Sequence, residues 1–291
     1  MILLLGGGGY VGTAFCEFFA CSGIDYLSAS RRFLDYTNLD TLTDFLVAAK
    51  PYFVINCAGY VGKPNVDECE SNKAECLKGN AVLPGIVGEA CRRNQIPWGH
   101  VSSGCIYTGT REDGSGFGEN DEPNFCFRTN NCSFYSGTKA LGEECLSSFS
   151  DVYTWRLRMP FNKIDSRRNY LSKLMRYDQL LDATNSLSLL TDFVRCSWQC
   201  WDKRVPFGIY NITNGGAVTT REIVDMIKAS KTCNKDFRFF DSEEHFMKVA
   251  AKAPRSNCVL DNRKLHDVGI SISDVRDAIR CSLSYWQPES M

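Results

Sequence analysis

The sequence predicts an α/β protein built on a parallel, doubly wound sheet, with a smaller second lobe towards the C-terminus. Three observations carry this. Short apolar runs alternate with helical patterns through the first half. A glycine cluster, GGGGYVG, joins the first strand to the first helix. After Pro160 the alternation loosens into shorter, mixed elements.

The elements follow in order. ILLL is apolar at every position, as a strand buried on both faces requires. YVGTAFCEFFACSG is a helix ending at Gly23, DYLSAS a second strand, and NLDTLTDFLVAAK a second helix. YFVINCAG is a strand stopped by Gly59, and one long helix is expected from about Ser71 to Asn94. WGHVSSG is a strand that enters a loop from Thr108 to Ser133. That loop is long and rich in Gly, Asn and charge, which marks it as functional rather than merely connecting. FYSGTKALGEECLSSF reads as a helix and VYTWRLRMP as the next strand. Beyond Pro160 come a helix near Asn169–Tyr177, a strand at GIYNIT, a helix after Thr219 and a C-terminal helix from about Ser273. The expected division is a dinucleotide-binding domain over residues 1–158 and a substrate-binding lobe over 159–291, partly interleaved with the sheet.

Composition narrows the function classes. With 44% hydrophobic and 23% charged residues, 291 residues suffice for a large core. A formal net charge of −1 gives no basic field to recruit nucleic acid or an anionic membrane. The apolar opening is too short for a signal peptide or a membrane span, so a cytoplasmic protein is expected. Fifteen cysteines then read as free thiols in a reducing compartment. No CxxC pair occurs among them. Cys196 and Cys200 fall one helical turn apart, but nothing nearby completes a ligand set, so no metal is expected.

Gly6, Gly9 and Gly12 stand in GxxGxxG spacing between strand and helix, with Tyr10 and Val11 in the first helical turn. Such glycines permit a tight turn and let backbone approach a pyrophosphate, whose charge the helix N-terminus stabilises. Ala58 and Gly59 end the third strand at the same edge. The second strand ends SASRR, with no acidic residue to bind a ribose hydroxyl. Arg31 and Arg32 instead suit a 2′-phosphate, which favours NADPH over NADH.

YSGTK places Tyr135 and Lys139 four apart, on one face of a helix. A lysine beside a phenol is expected to lower its pKa and make Tyr135 a proton donor to a carbonyl. Strand alternation predicts that Ser103, Cys105 and Tyr107 project the same way. As a bare pattern YxxxK is common. Its meaning comes from following a dinucleotide turn, the NCAG strand end and Ser103 in that order.

Those ordered motifs resemble the extended short-chain dehydrogenase/reductases, whose core is a Rossmann-type sheet. Within that group the chain resembles nucleotide-sugar 4-keto reductases. More narrowly it resembles the UDP-4-keto-6-deoxyglucose 3,5-epimerase/4-reductases that make UDP-rhamnose, through GKPNVDECES, GCIY, DEPNF, RLRMP, RNYLSKLMRY and APRSN. The resemblance implies that Cys105 is an acid/base group paired with Lys173. It implies Tyr135 and Ser103 at the ketone oxygen, Lys139 on the nicotinamide ribose, NADPH as cofactor and a nucleotide-sugar substrate supplied by a separate 4,6-dehydratase. GDP-fucose synthase carries a cysteine in the corresponding place, whereas enzymes that only reduce an epimerised dTDP-sugar usually have tyrosine. Arg255 is a candidate for the substrate diphosphate and Asn169 for the sugar, although a surface salt bridge and a helix cap are their ordinary roles. Asn80 matches the family's mid-helix asparagine. Asp67 and Glu70 read as helix starters. A reductase without epimerase activity, on a UDP- or dTDP-sugar, and a non-catalytic NADP-binding subunit are the competing readings; intact Ser103, Tyr135 and Lys139 argue against the latter. A homodimer is left open.

Overall fold

The structure is a computed structural model that describes residues 1–63 and 65–288. Its strands in chain order are β1 (Ile2–Leu5), β2 (Tyr26–Ala29), β3 (Phe53–Asn56), β4 (Trp98–Ser103), β5 (Val152–Leu157), β6 (Gln179–Leu180), β7 (Thr184–Asn185), β8 (Gly208–Asn211), β9 (Val218–Thr219) and β10 (Arg238–Phe239). Six of them form one parallel sheet in the order β2-β1-β3-β4-β5-β8. The short pairs β6–β10 and β7–β9 lie in the second lobe.

Alternation along β1 sends Ile2 and Leu4 to one core and Leu3 and Leu5 to the other, so both faces of the sheet are covered. The first core is aromatic and lies under α1 (Tyr10–Cys21), with Phe53 stacked on Trp201 at 4.2 Å. The opposite core lies under α2 (Leu39–Ala49), which Asn38 caps by accepting the Thr41 N–H.

The helix expected from Ser71 to Asn94 is not continuous. It divides into α3 (Glu68–Ser71), α4 (Lys73–Leu77), a π-turn over Lys78–Val82, and α5 (Leu83–Arg93). Asn72 leaves the helical region at φ −117°, ψ 52°. Pro84 can neither donate to nor pack against the carbonyl four residues back, that of Asn80. The wide turn absorbs this conflict and marks a local function.

The Tyr135–Lys139 helix, α6 (Phe134–Leu146), starts where Ser133 accepts the Ser136 N–H at 3.2 Å. After Pro160, α7 (Tyr170–Arg176), α9 (Thr220–Ala229) and α12 (Val275–Ser284) share a core of their own, α10 (Glu243–Val249) follows β10, and α8 (Leu190–Asp202) and α11 (Arg263–Asp267) contribute to the first core of the main sheet. Thr219 and Glu222 form a capping box on α9, and Asp274 caps α12. Helix α8, absent from the sequence reading, packs Phe193, Val194, Cys196 and Cys200 onto the sheet. Its first turn has no local cap; the Leu189 N–H is held by Asn214 Oδ1 at 2.7 Å. All fifteen cysteines are free. No helix among the described residues is long and apolar enough to cross a membrane.

Candidate active site

Sheet order reverses between β1 and β3, and the loops leaving these strands touch. Gly6 has φ +77°, and a Cβ there would lie 2.6 Å from the Ala58 nitrogen. A Cβ on Gly12 would lie 2.2 Å from the Gly6 oxygen. Both positions therefore require glycine. Gly9 donates to that same oxygen at 3.0 Å and caps α1 without a side chain. The N–H groups of Tyr10, Val11 and Gly12 then have no intrahelical acceptor. A Cβ on Gly8 would meet nothing within 4 Å, so the turn is open on that side. This cradle fits the pyrophosphate of a dinucleotide. Val11 itself packs against the sheet core and offers only its backbone. The Tyr10 hydroxyl is buried without a hydrogen-bond partner, and burial raises its phenol. Arg31 and Arg32 are exposed in the turn after β2.

The end of β3 is shaped by two buried asparagines. Asn56 Oδ1 accepts the Ala58 N–H at 3.0 Å, while its Nδ2 lies 3.2 Å from His100 Nδ1. Asn80, inside the π-turn, grips the backbone of Tyr60 with both ends of its amide, accepting at 2.9 Å and donating at 2.8 Å. It also donates to Thr138 of α6 at 3.2 Å. Its own carbonyl lies 2.1 Å from where a Cβ on Gly142 would be, so only glycine lets α6 come this close. Asn80 thus clamps the loop around Ala58 and Gly59 to the helix that carries Tyr135 and Lys139.

On α6, Tyr135, Lys139 and Glu143 form one stripe. Lys139 is 6% exposed and donates to the Val101 carbonyl of β4 at 3.2 Å. Burial lowers its pKa, against the pull of surrounding acidic groups. Tyr135 is partly buried, and its phenol is raised well above its ordinary value by burial, with Ser103 pulling the other way. This corrects the expectation of a lowered phenol: desolvation, reinforced by the thiols of Cys105 and Cys69, outweighs the contact with Ser103. Glu143 forms a bidentate ion pair with Arg156 of β5, 2.6 Å at its shortest, with side chains 8% and 3% exposed. Ser102 of β4 donates to the same carboxylate. Neither Glu143 nor Arg156 was singled out from the sequence. The available signal was a glutamate four residues after Lys139, on the same face.

Alternation does not deliver Cys105 to the site. β4 stops at Ser103, whose Oγ accepts the Cys105 N–H at 3.3 Å and caps a 3₁₀ turn over Gly104–Ile106. Tyr107 accordingly leaves the site. It stacks on Phe117 at 4.7 Å and donates to the Asp121 carbonyl at 2.6 Å. The turn still directs the Cys105 side chain at Ser103 and Ser136, in a cluster that includes Tyr135. Burial raises its thiol pKa; Ser103, Arg158, Lys139 and Ser136 act in the opposite direction.

Lys173, on α7, is half-buried, and its amine is lowered by burial and then by the charges of Arg168 and Arg255. The cations that bear most on Cys105 are therefore Arg158 and Lys139, where the sequence suggested Lys173. Two further expectations are corrected. Asn169 is 0% exposed and caps α7, accepting the Leu171 N–H at 3.0 Å while donating to the Asn162 and Ile164 carbonyls at 2.8 Å. Its polar atoms are used, so it is a cap rather than a sugar ligand. Arg255 is held by Asp67 in two bonds of 2.6 and 2.7 Å. Asp67 stands at the N-cap position of α3 as expected, but its side chain does not cap the helix; its carboxylate is a clamp between lobes, and Arg255 keeps it below the usual range in spite of burial. Arg168 adds a second tie, to the Gly62 carbonyl at 2.9 Å. Glu70 accepts the Phe134 N–H at 2.7 Å and fixes α3 to the start of α6.

The family model of the RmlD substrate binding domain matches residues 1–287. The chain belongs to this family. Among related proteins, the Arabidopsis thaliana bifunctional dTDP-4-dehydrorhamnose 3,5-epimerase/dTDP-4-dehydrorhamnose reductase is 33% identical over 282 residues, covering 95% of this chain and 90% of the relative. A trifunctional UDP-glucose 4,6-dehydratase/UDP-4-keto-6-deoxy-D-glucose 3,5-epimerase/UDP-4-keto-L-rhamnose-reductase of the same plant is 34% identical over 284 residues. That match covers 95% of this chain but only 41% of the plant protein. The crystal structure of the L780 UDP-rhamnose synthase from Acanthamoeba polyphaga mimivirus superposes with a TM-score of 0.89 at 25% identity, over 98% of both chains. As an RmlD-family chain it has the Rossmann-type fold and the residue order of the extended short-chain dehydrogenase/reductases.

Proposed function

We propose that this RmlD-family chain is an NADPH-dependent nucleotide-sugar 3,5-epimerase/4-keto-reductase that converts UDP-4-keto-6-deoxyglucose to UDP-L-rhamnose. The observation that carries it is the placement of a thiol, Cys105, in the same cluster as Ser103, Tyr135 and Lys139. Reduction needs a carbonyl polarised by hydroxyls and a proton donor; epimerisation at C3 and C5 needs an acid and a base beside the same carbonyl. The glycine turn would hold the dinucleotide, and NADPH, when bound, supplies the hydride. Tyr135 keeps its proton through neutral pH because burial raises its phenol, so it is a competent donor to the C4 oxygen, with Ser103 as second hydrogen-bonding group. Lys139 holds its place through the Val101 carbonyl and faces Gly59, 4.0 Å from where a Cβ would stand, suited to a ribose.

The opposed shifts divide the epimerisation roles. Lys173, lowered by burial and by the charges of Arg168 and Arg255, gives up its proton more readily than an ordinary lysine, which suits it to the role of base. Cys105, raised by burial, holds the proton that an acid returns. The keto-sugar is the product of a 4,6-dehydratase, an activity named in the trifunctional relative. A reductase without epimerase activity is the second reading, favoured by Arg158 and Lys139 being the cations nearest in effect to Cys105.

In D₂O with UDP-4-keto-6-deoxyglucose, the protein is expected to incorporate deuterium at C3 and C5 and form UDP-rhamnose. Cys105→Ala is expected to lose incorporation at one or both carbons, followed by NMR of the product. Wild-type exchange in that variant would leave reductase activity alone. Replacing Arg31 and Arg32 together with alanine is expected to raise the KM for NADPH at least tenfold more than that for NADH, since a doubly charged 2′-phosphate loses its charge-assisted contacts. Equal changes for both cofactors would assign these arginines to the solvent surface.

A further inference from the structure

We infer that Arg158 is the positioning residue that holds the negative charge left on Cys105 when its thiol gives up a proton, a role that rests on the bifunctional reading above. Two arginines flank Leu157 at the end of β5. Arg156 is neutralised by Glu143. Arg158 is equally buried, 5% exposed, and among the described residues it has no carboxylate partner. Its guanidinium donates to Asn185 Oδ1 at 2.7 Å and to the Ser256 carbonyl, both neutral, and its Nε has no partner. A buried, uncompensated guanidinium is costly. Such a charge is retained where an anion forms opposite it.

The geometry says which anion. β4 and β5 pair with Ser103 opposite Leu157, so Arg158 enters level with the turn that carries Cys105. The segment that binds Arg158 also binds that turn. Ser256 Oγ donates to the Tyr107 carbonyl at 2.6 Å, and the Cys258 thiol donates to the Gly104 carbonyl at 3.2 Å. Asn185 Oδ1, the acceptor for Arg158, also accepts the Cys258 N–H at 3.0 Å. Guanidinium and thiol are thus fixed relative to one another by one short frame. The other groups facing the thiol are Lys139, Tyr135, Ser136 and Cys132 from α6 and its approach, and Ser103 from β4. Arg158 and Lys139 are the cations among them, and Lys139 is tied to the Val101 carbonyl.

In the step itself, the Cys105 S–H bond breaks and a C–H bond forms at the carbon beside the ketone, using the electron pair of the enolate. Sulfur keeps the pair of the broken bond and becomes a thiolate. Lys173 has already taken the opposite proton, and water returns protons between the two. Arg158 remains charged throughout and makes the thiolate tolerable in a buried place.

The test is the pH dependence of Cys105 alkylation by iodoacetamide in the full chain, read at the Cys105 peptide by mass spectrometry so that the other thiols do not contribute. Arg158→Gln is expected to move the profile upward by about one pH unit or more, hence about tenfold slower alkylation below the titration. Arg158→Lys is expected to keep most of the wild-type profile. Asn185→Asp places a carboxylate on the guanidinium with little change of shape; it is expected to give the same upward movement and serves if Arg158→Gln does not fold. A profile unmoved in either folded variant overturns the inference. Failure of the bifunctional reading would show elsewhere, as normal deuterium exchange in Cys105→Ala.

Discussion

Tyr135→Phe is expected to lower ketone reduction by about a thousandfold while the fold and NADPH binding survive. The substitution removes one oxygen. The ring still packs against the cluster of Cys105, Ile106 and Ala140, and Ser133 still caps α6. What disappears is the proton held at the C4 oxygen; the Cys105 thiol serves the ring carbons beside the ketone in the proposed reaction, not that oxygen. Ser103 is a hydroxyl with no charged partner to take its place, and Lys139 is engaged with the Val101 carbonyl. Single-turnover oxidation of NADPH, followed by absorbance, measures the loss; cofactor binding is read separately by fluorescence titration. Turnover within tenfold of wild type would remove Tyr135 from the proton path. Because burial raises the phenol, wild-type reduction is expected to show no alkaline loss from this group through neutral and mildly basic pH.

Glu143→Leu is expected to cost about 3–5 kcal/mol of stability, because it leaves Arg156 charged and buried without its paired carboxylate. That corresponds to a fall in Tm of roughly 10 °C for a chain of this size. The ion pair joins α6 to β5, so its loss also loosens the helix on which Tyr135 and Lys139 stand. The companion substitution Arg156→Met in the same molecule removes the stranded charge. The double variant is expected to recover most of the loss, although Arg156 also donates to Tyr107 Oη at 3.1 Å. Thermal unfolding by circular dichroism decides. A double variant less stable than Glu143→Leu would show that packing, not charge, governs the site.

What was legible in the sequence is what near neighbours determine. Four consecutive apolar residues make β1, and Thr219 with Glu222 starts α9 by contacts three residues apart. The glycine turn is legible for the same reason, since Gly6 and Gly12 meet across one turn. Distant partners were not. Asp67 and Arg255 are 188 positions apart, and nothing local distinguishes their salt bridge from a free phosphate-binding arginine. The break at the π-turn depends on Asn80 meeting Tyr60 and Thr138. α8 begins on an asparagine borrowed from beyond β8. RLR in β5 contains two similar arginines, and only the third dimension separates the neutralised Arg156 from the bare Arg158. Cys105 was placed near Ser103 by an alternation argument that the 3₁₀ turn invalidates; Ser103 brings it there by capping.

The last strand of the main sheet has a consequence for how the chain is made. β8 pairs with β5 in register from Tyr153↔Gly208 to Arg156↔Asn211, across roughly fifty intervening residues. Until Asn211 has left the ribosome, β5 is an edge with unpaired backbone groups and with Tyr153 and Trp155 uncovered on one face. α8, which buries that face, is also made late. The nascent protein therefore passes through a stage in which its first five strands form an open template for other chains. A product that terminates before residue 212 is held at that stage permanently, so chaperone dependence and aggregation of truncated forms follow from the strand order itself.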